Sequence, residues 1–172
     1  MALTIEDGSN VANADSYISV ADAEAYFISF DKDTSAWSIL TTASKEGKLR
    51  SAGQYINNKY SFQGVQTNSD QLMIWPRNGV LIEGVYPVDA DSVPTDVANA
   101  QALLALESLT NPLHTTLTAQ DGNVKLSADA VGPLKSTVEY FGKSRSGTQV
   151  VFTEVKSILS PYLSGTNTLE RS

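Results

Sequence analysis

Apolar residues return at helical spacing in four stretches of this chain, and the polar segments between them set the boundaries. Val20, Ala23, Phe27 and Phe30 form one stripe. Ahead of it, Ser19 and Asp22 stand at the spacing of a capping box, where the Asp22 charge also suits the helix dipole. This predicts a helix over residues 19–30, ended by the polar run after Phe30. A second helical region is expected over 34–58, broken near 40–42. Its second half aligns Leu49, Ala52, Ile56 and Tyr60. Gly47 and Gly53 each weaken it by about 1 kcal/mol relative to alanine. A glycine there is either simply tolerated or permits close approach of a neighbour. A third helix is predicted over 95–109, with Pro94 at its first position, where the missing N–H costs nothing. Val97, Ala100 and Leu104 form one face and Leu103 and Leu106 widen it, so this helix is expected in the centre of a bundle. The fourth stretch, 152–163, places Phe152, Val155, Leu159 and Tyr162 on one side, with Pro161 bending the last turn.

Between the third and fourth helices the period changes to two. Residues 124–128 and 136–140 alternate and contain β-branched side chains, which predicts two strands with Gly132-Pro133 between them. Residues 61–94 contain three prolines and read as a long loop, a feature that in compact domains is usually functional or a linker. Residues 1–18 read as an entry arm with a short strand at 3–5, and 164–172 as a polar tail. The expected fold is mainly α: a small helical bundle with a long loop, a β-strand pair or hairpin, and extended N- and C-terminal arms. Its parts are an arm (1–18), a helical core (19–115) holding the loop 61–94, a β-strand extension (116–147), and a C-terminal helix and tail (148–172).

Charge narrows the function. Twelve basic residues against nineteen acidic give a formal net charge of −7. Stable nucleic-acid binding works by neutralising phosphates, and its footprint is a basic patch. Lys45, Lys48 and Arg50 form the densest basic cluster, with Glu46 inside it, and Lys143 and Arg145 a weaker one; both read as solvated faces. There is no cysteine, and the one histidine, His114, reads as a surface residue without a catalytic or metal-binding partner. Asp89, Asp91 and Asp96 lack the spacing of a calcium loop. No phosphate-binding glycine motif and no nucleophile elbow occurs. No catalytic, metal or cofactor site is expected, and no run reaches the length of a membrane span.

The most specific element is Gln71-Leu-Met-Ile-Trp75-Pro76-Arg77-Asn-Gly79. Pro76 fixes its own φ and pushes Trp75 towards extended backbone. Arg77 presents a planar fork of donors just beyond that corner. The plainest reading is a buried Trp75 pinning the loop, with Arg77 bonding carbonyls or carboxylates of its own or an adjacent subunit.

That element occurs in order with Ile5-Glu-Asp-Gly8, Asn13-Ala-Asp-Ser16-Tyr17, Tyr60-Ser-Phe62-Gln-Gly64 and Val93-Pro94-x-x-Val97-x-x-Ala100. Together, over residues 3–163, they resemble the tailed-bacteriophage head–tail connector, or neck adaptor, proteins, which are often labelled DnaT-like single-stranded DNA-binding proteins. The resemblance implies a structural virion protein that forms a homo-oligomeric ring, dodecameric in that family, beneath the portal. Its expected partners are the portal protein, a downstream neck or tail protein, and genomic DNA passing through the channel without specific binding. Its expected location is the virion neck, with the host cytoplasm during assembly. Trp75, Arg77, Phe152, Val155, Leu159, Tyr162 and Leu163 are the expected subunit or portal interface, and the C-terminal segment is expected to dock on the portal or a neighbour. Two alternatives stand beside this reading. One is single-stranded DNA binding, with Tyr55, Tyr60, Phe62 and Trp75 as stacking aromatics; the other is a different head or tail completion protein.

Overall fold

A computed structural model describes residues 2–113, 127–131, 134–138 and 152–165, the two middle segments by their backbone. The fold is mainly helical. Its elements in chain order are α1 (Val20–Ser29), α2 (Ser35–Ser38), α3 (Thr42–Lys59), β1 (Val65–Gln66), β2 (Arg77–Asn78), β3 (Leu81–Ile82), β4 (Tyr86–Pro87), α4 (Thr95–Glu107), β5 (Ser127–Val131), β6 (Leu134–Val138) and α5 (Thr153–Leu159). A 3-10 turn, Ser160–Tyr162, continues α5. The chain divides into two compact units, Met1–Leu113 with Phe152–Ser172, and His114–Val151. The C-terminal helix therefore belongs with the helical core.

The helix starts follow local chemistry. Ser19 caps α1 by accepting the Asp22 N–H at 3.1 Å, and its hydroxyl donates to Asp22 Oδ2 at 2.6 Å. Thr41 caps α3 through the Ser44 N–H. This cap lies at the break expected near 40–42, so the second helical region is two helices. Pro94 is the N-cap of α4 and not its first residue, a one-residue shift that still leaves its absent N–H without cost.

Helix α4 is central. Val97, Ala100, Gln101, Ala102, Leu103, Leu104 and Ala105 are all buried, and α1, α3 and α5 all pack against it. The expected stripe of α3 is buried at Leu49, Ala52 and Ile56, with Tyr60 half-buried. On α1 the stripe holds for Ala23 and Phe27, joined by Tyr26, but Phe30 is exposed. The helix ends at Ser29, and Asp31 takes a left-handed φ of 48°. Phe30 thus leaves the helical phase and lies against the Tyr26 ring, 4.7 Å between centroids.

Three antiparallel strand pairs are present among the described residues. Two of them, β1–β2 and β3–β4, lie inside the segment read from sequence as irregular. The third, β5–β6, runs from Ser127 opposite Val138 to Val131 opposite Leu134, flanking Gly132 and Pro133. Residues 124–126, 139–140, His114, Lys143, Arg145 and the tail from 166 lie outside the described residues. The expected strand at 3–5 is a single bridge, Ile5 with Ser16. The entry arm is tied to α4 through Gln101, whose Oε1 accepts the Tyr17 N–H at 2.7 Å.

Candidate functional site

Arg77 and Trp75 organise the segment between α3 and α4. The Arg77 guanidinium is only 7% exposed. Its Nε donates to Gln63 O at 2.7 Å, and its Nη2 to Gly64 O at 2.6 Å and Phe62 O at 3.4 Å. Nη1 donates to Ile74 O at 3.2 Å. One planar fork therefore holds three successive carbonyls and a fourth from across the loop, a geometry a lysine ammonium cannot copy. Burial lowers the Arg77 pKa, but a guanidinium remains charged. Gly64, beside it, has φ +67°, and a Cβ there would lie 2.1 Å from Asn78 O, so glycine is required.

Trp75 is fully buried. Its ring meets Phe62 at 5.7 Å and Tyr162 at 5.8 Å, both edge-on. Its indole N–H has no hydrogen-bond acceptor, and the Trp75–Pro76 peptide is cis. The Trp75 backbone N–H donates to Tyr17 Oη at 3.1 Å, and that hydroxyl donates to Asn57 Oδ1 at 2.9 Å. Burial raises the Tyr17 pKa strongly. Gln71 pins the loop from inside: its Nε2 donates to Met73 O and Pro76 O, and its Oε1 accepts the Asn68 N–H. The residues that make the motif recognisable are thus those that fix the corner.

The C-terminal segment closes over this corner in the same chain. Gln63 N–H donates to Tyr162 O, and Ser164 N–H to Ser61 O, around a bridge of Phe62 with Leu163. Gln63 Nε2 adds bonds to Pro161 O and Leu163 O. Tyr162 Oη donates to Asp96 Oδ2 at 2.8 Å, and burial, then that bond, push its pKa up to about 12. Phe152, Val155, Leu159 and Tyr162 are buried and Leu163 half-buried. All seven expected interface residues therefore sit inside or against the chain's own core. The segment expected to dock elsewhere is seated here on Phe62, Trp75 and Asp96.

The expected basic face is rearranged too. Lys45 bonds Glu24 at 2.8 Å, and Lys48 donates to Ser108 O. Arg50 pairs with Asp15 and donates to Ala2 O at 2.8 Å. These groups tie elements together and are not the solvated face the sequence suggests, because each has a partner within reach of its long stem. Of the four aromatics considered for base stacking, Tyr55, Phe62 and Trp75 are buried and Tyr60 is half-buried.

Two features escape the sequence reading. Gln101 is fully buried, with Nε2 donating to Leu49 O at 2.7 Å and Ser16 Oγ at 2.9 Å. Its signal was present: a polar residue four positions after Val97, on the apolar face of α4. Glu6 is also buried, accepting the N–H groups of Gly8, Asn10 and Val11; no pattern in the sequence marks it.

Among the described residues no group of three His, Cys, Asp or Glu is placed to hold a metal ion, and no helix is long and apolar enough to cross a membrane. What the site defines is a small helical domain whose signature residues hold a loop and a C-terminal clasp in place. The chain belongs to the family described as "Putative DnaT-like ssDNA binding protein", whose model matches residues 1–171. No curated protein and no solved structure matches it.

Proposed function

We propose that this chain is a structural subunit of the tailed-phage neck, a connector that forms a homo-oligomeric ring beneath the portal and continues the DNA channel. In this reading it is not an enzyme and needs no cofactor. It contacts the portal and a downstream neck or tail protein, and it resides in the virion after assembly in the host cytoplasm.

The observation that carries the reading is how the described cations are spent. Lys32, Lys45 and Arg50 close ion pairs with Glu154, Glu24 and Asp15. Lys48 and Arg77 are given to backbone carbonyls. Single-stranded DNA binding needs cations facing phosphates and aromatics facing bases, and here both are turned inward. An acidic wall repels DNA, which suits a conduit.

A second reading, single-stranded DNA binding, is favoured by the family description. Residues 114–151 hold four basic and three acidic residues, and the rest of the chain eight against sixteen. If the chain grips DNA, residues 114–151 are the natural source of the phosphate contacts. Electron microscopy of the encoding phage grown without this protein separates the two readings. The connector reading expects DNA-filled heads that lack tails. Intact, infectious particles at the normal yield would overturn it.

A further inference from the structure

Eight large apolar side chains stand exposed among the described residues, and they fall into two groups. Ile28, Phe30 and Ile39 form the first. The edge-on contact of Phe27 with Trp37, 5.4 Å between centroids, ties the Ile39 turn to α1. Ile39 lies two residues before Thr41, the N-cap of α3. The second group, Val65, Leu72, Leu81, Val85 and Tyr86, follows the other end of that helix. Leu72 is held there by its neighbour Met73, whose sulfur accepts from Asn57 Nδ2 near the α3 C-terminus. A helix of 18 residues spans about 27 Å, so the groups lie beyond opposite ends of one element.

Single exposed apolar residues need no explanation, but grouped ones mark an interaction surface. Charge indicates which surface meets which. Asp70, Glu83, Asp89 and Asp91 accompany the second group, while its one arginine, Arg77, is turned inward. Around the first group Lys32, Lys45 and Lys48 offset Glu24, Asp31, Asp33 and Glu46. A two-fold contact of the second group with itself would set four carboxylates against four. Contact with the first group meets a nearly balanced surface instead. Two unlike apolar surfaces at opposite ends of one unit are what a head-to-tail contact requires, and such contacts close into rings when the rotation allows.

We infer that copies of this chain join head to tail, the Val65–Tyr86 surface of one copy seating on the Ile28–Ile39 surface of the next. The inference rests on the assembly reading above and adds the surfaces to it. The test uses two double variants of the full chain, Phe30→Asp with Ile39→Asp and Val85→Asp with Tyr86→Asp. All four side chains are exposed, and an unchanged melting temperature checks that each variant folds; serine versions serve if one does not. Light scattering after gel filtration should show an oligomer for the parent and a monomer for each variant. Mixing the two variants should give a one-to-one dimer, because each supplies the surface the other lacks. Variants that remain oligomeric, or variants that stay monomeric when mixed, would overturn these surfaces while leaving assembly itself standing. A parent that stays monomeric at every concentration would overturn the assembly reading as well.

Discussion

Replacing Arg77 by lysine keeps the charge and removes the fork. In the folded chain four carbonyls depend on that fork, and the two shortest bonds, to Gln63 and Gly64, are 2.7 and 2.6 Å. Hydrogen bonds to a charged group contribute about 1.5–3 kcal/mol each. An ammonium at the end of a straight chain keeps one or two of the four, so Arg77→Lys should cost about 2–4 kcal/mol. Arg77→Met removes every donor and leaves the carbonyls of Phe62, Gln63, Gly64 and Ile74 without this partner, which should cost about 3–5 kcal/mol. Urea unfolding followed by tryptophan fluorescence suits the measurement, since Trp37 and Trp75 both lie in the same compact unit. The midpoint should fall with little change in slope. A loss of less than about 0.5 kcal/mol for Arg77→Lys, the range of an ordinary surface substitution, would show that the fork does not hold the corner.

Three further outcomes follow from the same packing. Leu104, fully buried on α4, should lose about 2–5 kcal/mol on truncation to alanine, read from the same urea curves. Gly47→Ala should stabilise by up to about 1 kcal/mol through helix propensity, since nothing lies within 4 Å of the new Cβ. Gly53→Ala should destabilise instead, because its Cβ would sit 3.0 Å from Gln101 Nε2, an atom held by two hydrogen bonds. In alkali, Tyr60 and Tyr162 have folded pKa values raised to about 12, mainly by burial, from a model value of 10.0. A raised pKa means that their contribution is complete below about pH 10 and is lost as pH rises from 10 towards 12. Urea midpoints should therefore hold up to about pH 9 and decline above 10, and tyrosinate absorbance should show late-titrating groups.

The helices were legible because burial on one face imposes a period that survives in composition. Ser19, Thr41 and Pro94 marked their starts to within a residue. Strands β1 to β4 were not legible: two residues cannot display a period of two, and these pairs are held by Arg77, Gln63 and positive-φ glycines. Trp75 and Arg77 were readable as a rigid corner because each residue there is conformationally or sterically expensive. Their carbonyl partners at 62–64 were not, since backbone acceptors carry no side-chain signature. Phe30 misled because a helical stripe says nothing about where the helix stops. The cations Lys45 and Arg50 misled for a related reason: Glu24 and Asp15 are remote in sequence, so only folding brings the pairs together.

Native mass spectrometry of the full chain, alone and with a single-stranded oligonucleotide at low and at physiological salt, tests the central claim most directly. The account predicts a self-assembled species of discrete subunit number whose mass is unchanged by the oligonucleotide at physiological salt. A monomer that takes up the oligonucleotide stoichiometrically at physiological salt would contradict it and establish DNA binding in its place.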